Sequence, residues 1–215
     1  AAGILAPQVY FGGGDGWLYA LDPTNGSLLW KFDGNPPDAT WQPGGSGDRN
    51  YIVGTPVFHG GRVYVSMGVD PEHGGGPGAL HAIDAAGSGD ITAGRAVWSL
   101  GAEEFGRSIS TVAIDDGIVY ATDLDGFLYA LDATNGEKLW EHDMLAAAWG
   151  SPFVAGGHVY IGDEDGEVSV LKAARELEVV AENILEDAAY GTPIAVGRTL
   201  YISTRSRLYA LEKQD

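Results

Sequence analysis

Residues 118–140, IVYATDLDGFLYALDATNGEKLW, form a template that the rest of the chain repeats with varying fidelity. Residues 9–30, VYFGGGDGWLYALDPTNGSLLW, match residues 119–140 at 14 of 22 positions without a gap. Such self-similarity constrains the fold more than any local propensity does. Each copy is one supersecondary unit that cannot bury its own faces and must stack on its neighbours. The tyrosine near the start of the template recurs as Tyr10, Tyr64, Tyr120, Tyr160 and Tyr201. The last two intervals, 40 and 41 residues, match one four-stranded unit, whereas the first two, 54 and 56, each carry an insertion.

Within the template the expected elements are a B strand at Ile118–Thr122, a turn at 123–126, a C strand at Phe127–Leu131, a turn at 132–136 and a D strand at Lys138–Glu141. Gly126 and Gly136 supply the positive φ these turns need, and Asp and Asn side chains bond their own backbone beside them. Strands B and C are apolar on both faces, so each sheet must be covered on both sides, as happens when small sheets stack face to face. The A strands are expected from GTPVF (Gly54), STVAI (Ser110), GSPFV (Gly150) and GTPIA (Gly191). The fold class is therefore all-β: a β-propeller of four-stranded antiparallel blades in five repeats, spanning about 1–33, 52–100, 109–143, 149–182 and 190–215 of a single domain over 1–215. The first and last copies are incomplete, since the first begins at its B strand and the last ends at Leu211 without a D strand. Two closures stay open: a five-bladed ring closed by the termini, or a partial arc of a seven- or eight-bladed propeller completed by missing blades or by self-association.

The stretches YALDPTNGSLLW (Tyr19–Trp30) and YALDATNGEKLW (Tyr129–Trp140) resemble the tryptophan-docking repeat of quinoprotein-like (PQQ-like) propellers, with Ala20, Asp22, Gly26 and Trp30, and Ala130, Asp132, Gly136 and Trp140, in step. The second copy keeps His81-Ala82-Ile83-Asp84 and Trp98 around an insertion, whereas SVLKAARELEVV from Ser169 loses the Asp, Gly and Trp. The resemblance is to bacterial PQQ-binding-like repeat proteins and outer-membrane assembly scaffold propellers. It implies the fold and leaves the activity open, because the same repeat builds quinone-dependent dehydrogenases and non-enzymatic scaffolds. It makes PQQ and Ca2+ the cofactors to consider. The chain has no Cys, and so lacks the vicinal cysteine pair that many alcohol-oxidising members stack on the quinone.

Charge narrows the partners. Thirty acidic residues against twelve basic ones give a net charge of -18, which repels a nucleic-acid backbone or an anionic membrane surface. No apolar run approaches the length of a membrane span, so no membrane insertion is expected. An acidic surface with only Lys31, Lys138, Lys172 and Lys213 as lysines suits a periplasmic or extracellular setting.

Candidate chemistry lies in the interruptions of the repeat. By propeller connectivity the insertions at 33–51, 69–77 and 100–108 share one rim, while 85–95 falls on the other. Long loops on a rigid scaffold are where binding residues concentrate. Arg49, Tyr51, Arg107, Trp149 and Tyr190 are the candidate ligand-binding residues, combining guanidinium groups with aromatic faces at the starts of the A strands. Asp70, Glu72 and His73 are the candidate metal ligands, although a closed site needs at least four donors. The runs DLDG from Asp123 and DEDGE from Asp163 resemble the start of a calcium loop, yet they sit where each blade needs a turn. His81 and the other strand histidines are read as packing residues. No phosphate loop, GxSxG elbow or HExxH motif is present, and Glu103 with Glu104 or Asp70 is the one carboxylate pairing a hydrolase or lyase of sugars or lactones would use. The favoured reading is a non-catalytic propeller whose decorated rim docks a protein or small molecule; a PQQ-dependent dehydrogenase and a rim-carboxylate enzyme are the alternatives.

Overall fold

The computed structural model describes residues 6–40, 42, 47–69, 72 and 76–212. Among these there is no α-helix, and no helix long and apolar enough to cross a membrane. The strands are β1 (Val9–Gly12), β2 (Trp17–Leu21), β3 (Leu28–Asp33), β4 (Val57–His59), β5 (Arg62–Met67), β6 (Ala79–Asp84), β7 (Gly89–Asp90), β8 (Ala96–Leu100), β9 (Ala113–Asp115) and β10 (Ile118–Thr122). They continue as β11 (Phe127–Asp132), β12 (Lys138–Asp143), β13 (Phe153–Ala155), β14 (His158–Gly162), β15 (Glu167–Lys172), β16 (Val179–Ile184), β17 (Ile194–Val196), β18 (Thr199–Ser203) and β19 (Leu208–Glu212). All but β7 occupy blade positions, and they form five sheets, one per repeat. The fold is that of β-propeller blades: β4-β5-β6-β8, β9-β10-β11-β12 and β13-β14-β15-β16 are complete, whereas the last sheet is the three-stranded β17-β18-β19.

The chain divides into two compact units, Ala1–Thr111 with the first two blades and Val112–Asp215 with the other three. In the first unit Leu18, Trp30, Phe32, Val63, Met67 and Ile83 are among the buried residues of one core. In the second, Tyr120, Leu128, Trp140, Val159, Ile161 and Leu171 pack the third blade on the fourth. A smaller cluster of Val168, Ala189 and Ile202 packs the fourth on the fifth.

The turn expectations hold in detail. Gly126 lies at φ 96°, and a Cβ there would stand 2.5 Å from the Ala146 carbonyl oxygen, so both conformation and close approach require glycine. Asp123 Oδ1 accepts the N–H groups of Asp125 (3.1 Å) and Phe127 (2.9 Å), and Asp163 does the same for Asp165 (3.0 Å) and Glu167 (2.9 Å). The calcium-like runs are thus self-capped Asx turns.

Two differences have physical causes. The first sheet is not purely antiparallel: its fourth strand is β7 from the 85–95 insertion, running parallel to β3 with Trp30 opposite Gly89 and Lys31 opposite Asp90. Ile91 drives this, because it is buried in the first core while its N–H donates to the Lys31 carbonyl at 2.9 Å. The A strands also begin three residues beyond the small residues that mark them. Thr111 and Thr192 use their hydroxyls to accept the Thr55 N–H (2.8 Å) and the Ser151 N–H (2.9 Å), which links neighbouring segments before either enters a ladder.

Candidate functional site

The three insertions of the first unit come together around one cavity of about 350 Å3. Its wall takes Asn35 and Pro36 from the first insertion, Pro77 and Gly78 from the end of the second, and Gly101 and Ala102 from the third, with His81 and Ser99 from the strands beneath. The second and third insertions touch through their backbones, since a Cβ on Gly78 would lie 1.9 Å from the Gly106 carbonyl oxygen. Phe105, 1% exposed, anchors the third insertion, and Glu104 folds back on its own turn through its N–H to the Gly101 carbonyl at 2.9 Å.

The first insertion is held by polar chemistry. Arg49 sends Nε to the Asp15 carbonyl (2.9 Å), one terminal nitrogen to Asp33 Oδ1 (2.5 Å) and the other toward the Ala39 carbonyl (3.5 Å). The Arg49 and Asp33 side chains are only 10% and 14% exposed, so losing either partner strands a desolvated charge. Asn35 and Asn50 are reciprocally bonded, with the Asn50 N–H donating to Asn35 Oδ1 (2.7 Å) and Asn35 Nδ2 to the Asn50 carbonyl (3.1 Å). Asn50 Oδ1 is buried without a hydrogen-bond partner, and Asn50 lines the cavity. Below, Tyr19 donates to Asp15 Oδ2 at 2.7 Å, and burial together with that carboxylate pushes its phenol up to about 12.

His81 is the floor. Nε2 lies 3.0 Å from the Gly34 carbonyl and Nδ1 2.8 Å from the Ser99 hydroxyl. A carbonyl can only accept, so Nε2 carries the proton and Ser99 donates to Nδ1. Burial pushes the imidazole down to about 4, and the ring is neutral near pH 7. The cavity therefore has a neutral floor whose imidazole nitrogens are both already bonded, leaving the Ser99 hydroxyl oxygen as an acceptor on an otherwise small-residue wall.

The residues singled out from sequence are dispersed by comparison. Arg49 is turned inward as the clamp just described. Tyr51 pairs with Gly68 through both backbone bonds (3.2 and 3.1 Å), and Arg107 lies beside the same glycine, whose added Cβ would meet Arg107 Cβ at 2.9 Å. Tyr51 and Arg107 thus flank one point of the first unit. In the second unit Trp149 and Tyr190 meet edge to face at 5.8 Å, Trp149 Nε1 donates to Glu164 at 3.1 Å, and Tyr190 is 44% exposed. Of the metal candidates, Asp70 and His73 lie outside the described residues, leaving Glu72. Among the described residues no three His, Cys, Asp or Glu side chains are disposed to hold a metal. His81 and Ser99 were not read as site residues; the signal was that His81 falls at the strand position occupied by Tyr19 and Tyr129 in neighbouring copies.

Proteins of two kinds are similar to this chain. The family model described as "outer membrane protein assembly factor BamB" matches residues 14–174. An outer membrane protein assembly factor BamB from Alkalilimnicola ehrlichii is 30% identical over 216 residues, taking in 97% of this chain and 49% of that relative. A 1-butanol dehydrogenase (cytochrome c) from Thauera butanivorans is 28% identical over 134 residues, 55% of this chain and 17% of that one. The crystal structure of BamB from Moraxella catarrhalis superposes with a TM-score of 0.66 at 23% identity, covering 94% of this chain and 54% of that one, which is a likeness of fold. The chain spans about half, or less, of the length of the curated relatives it matches.

Proposed function

Because the chain belongs to the family of outer membrane protein assembly factor BamB, we propose that it is a non-catalytic scaffold module that docks a protein partner during outer-membrane protein assembly, on its periplasmic side. The observation that carries this reading is the family match across residues 14–174. The chemistry of the chain agrees with it. The repeat's Asp, Gly and Trp residues are spent on turns and packing, and the Glu103–Glu104 segment is a small turn in which Glu104 bonds its own loop. In this reading the partner docks on the surface of the insertions 33–51, 69–77 and 100–108. The cavity lined by Asn50, His81 and Ser99 gives that surface a concave point where an extended segment of another protein can place a polar side chain.

The test is photo-crosslinking in a Gram-negative envelope, with a photoreactive residue at Pro36 or Ala102 on the cavity wall and, as control, at Glu137 on an exposed turn of the third blade. Crosslinks to an outer-membrane assembly protein from the first two positions and not from the third are expected. Crosslinks from Glu137 alone would overturn the rim as the docking surface. Alcohol-dependent dye reduction by the purified chain given PQQ and Ca2+ would replace the scaffold reading with the dehydrogenase one.

A further inference from the structure

The repeat register identifies one residue in each blade that faces the next blade. Tyr10 pairs with Ala20 and Ala20 with Trp30; the same chain of partners gives Tyr64, Ala82 and Trp98, and then Tyr120, Ala130 and Trp140. In each case the indole lies against the tyrosine, with ring centroids 5.8, 5.9 and 5.9 Å apart. Trp30, Trp98 and Trp140 are 0%, 8% and 7% exposed. Where both sides of the junction fall in one unit, the indole N–H finds a carbonyl beyond the next blade's C strand. Trp30 shares its N–H between the Ala85 carbonyl (3.1 Å) and Gln8 Oε1 (2.9 Å), and Trp140 donates to Ala174 at 2.9 Å.

In the fourth blade the same register reads Tyr160, Val170, Ala181. The indole is replaced by a methyl group. Between the fourth and fifth blades, within the second unit, a cleft of about 580 Å3 stands open. Ala195, Leu200 and Leu211 line it, and by register they correspond to Val154, Val159 and Leu171, which share a hydrophobic core with Trp140 one blade earlier. Tyr160 lines it from the other side and retains no indole partner. Glu212, the register counterpart of Lys172, adds a carboxylate acceptor to the lining of the cleft.

We propose that this cleft is a binding site for an indole ring, supplied by a tryptophan side chain of a peptide or by a free indole compound. The fold itself specifies the ligand: an apolar slot between two sheets, with an aromatic neighbour and an acceptor for one N–H, is filled by an indole at the junctions with Trp30 and Trp140. Apolar cavities of this kind take up aromatic ligands of matching shape. The volume lies within the range of small-molecule sites, roughly 300–1,000 Å3. The cleft belongs to the second unit and the loop cavity to the first, and success or failure of the one assignment leaves the docking role of the other untouched.

The experiment is saturation-transfer NMR on the 215-residue chain with indole and, separately, with glycyl-tryptophyl-glycine amide. Ring-proton transfer to at least one probe is expected, and the probe that receives it identifies the source. Transfer to neither overturns the proposal. Ala181→Trp places the chain's own ring in the cleft; it should abolish transfer and raise the thermal midpoint without ligand, and transfer that persists in a folded Ala181→Trp variant also overturns it. A diazirine-bearing indole photo-crosslinked to the unsubstituted chain gives a readout that does not depend on that variant. Label on the peptides holding Tyr160, Leu200 and Leu211 supports the assignment, and label confined to other peptides refutes it.

Discussion

The third and fourth blades carry the same turn and differ in how they meet their neighbours. In both, an aspartate accepts two backbone N–H groups of its own turn, Asp123 in the third and Asp163 in the fourth. In the third, Asp123 Oδ2 also accepts the Tyr129 hydroxyl at 2.7 Å, and Trp140 closes the junction. In the fourth, Ser169 and Ala181 stand at those positions. The consequence is a core of ten buried residues between blades three and four and of three between blades four and five. Reversing the chain and gluing sheets together are therefore separable tasks. Local aspartate chemistry does the first, and two aromatic side chains do most of the second.

The strongest way to break this comparison is Trp140→Ala, which should make the third junction resemble the fourth. It empties a buried site and leaves the Ala174 carbonyl without its donor, and should lower unfolding free energy by about 3–5 kcal/mol in urea titrations. A cost under about 1 kcal/mol would mean that the indole is not what distinguishes the two junctions. Tyr129→Phe is the next largest, at about 1–2 kcal/mol, because it strips a donor from a buried carboxylate. It also has a pH signature. Burial holds Asp123 above the usual carboxylate range, against the opposing pull of the Phe127 N–H and the Tyr129 hydroxyl. A raised native pKa contributes stability that is fully present below the unfolded value of 3.8 and is lost as pH rises through the native one. Without the hydroxyl that native value rises further, so the loss in Tyr129→Phe should extend to higher pH than in the parent. Unfolding free energies measured from pH 4 to 7 test this.

The converse change, Ala181→Trp, should sharpen the comparison by adding roughly 0.5–2 kcal/mol, the usual yield of filling a cavity. That this substitution can be named from the repeat shows how much was legible. Strand β10 falls at Ile118–Thr122 as expected, since a both-face apolar run between two Gly-Asx turns leaves little freedom in its limits. The loss of Trp in SVLKAARELEVV is also visible in the sequence, but the cleft that follows is not: its other wall comes from residues 195–212, and only the register across four strands brings them opposite Tyr160. Strand β7 was hidden for a related reason. Gly89 and Asp90 carry no strand pattern, and they pair with β3 only because Ile91 is drawn into a core whose β3 members Trp30 and Phe32 precede it by 61 and 59 residues. Arg49 was picked out for its charge. Its partners Asp33 and Asp15 precede it by 16 and 34 residues, and no local signal shows that they consume it.

The smallest effect belongs to the turn that follows strand C. Asp132 is held down to about 2 by the Thr134 hydroxyl first and then by Arg175 of the fourth blade, which reaches it at 2.7 Å. A depressed native pKa gives stability that is present above the unfolded value of 3.8 and is lost as pH falls toward about 2. The Arg175 side chain is 56% exposed, so solvent screening keeps the pair below about 1 kcal/mol. Asp132→Asn should lower stability at pH 7 by that small amount, leave it nearly unchanged at about pH 2, and so flatten the acid limb between pH 4 and 2. Adding salt to the parent chain should remove only the Arg175 share, since the Thr134 bond is local. The fourth blade carries Lys172 at this position and has no counterpart of this carboxylate. An acid limb unaltered in Asp132→Asn would assign it instead to the other lowered carboxyls, Asp22, Asp48, Asp90 and Asp187, which hydrogen bonds from Thr24, Thr40, Thr92 and Ser206 hold down.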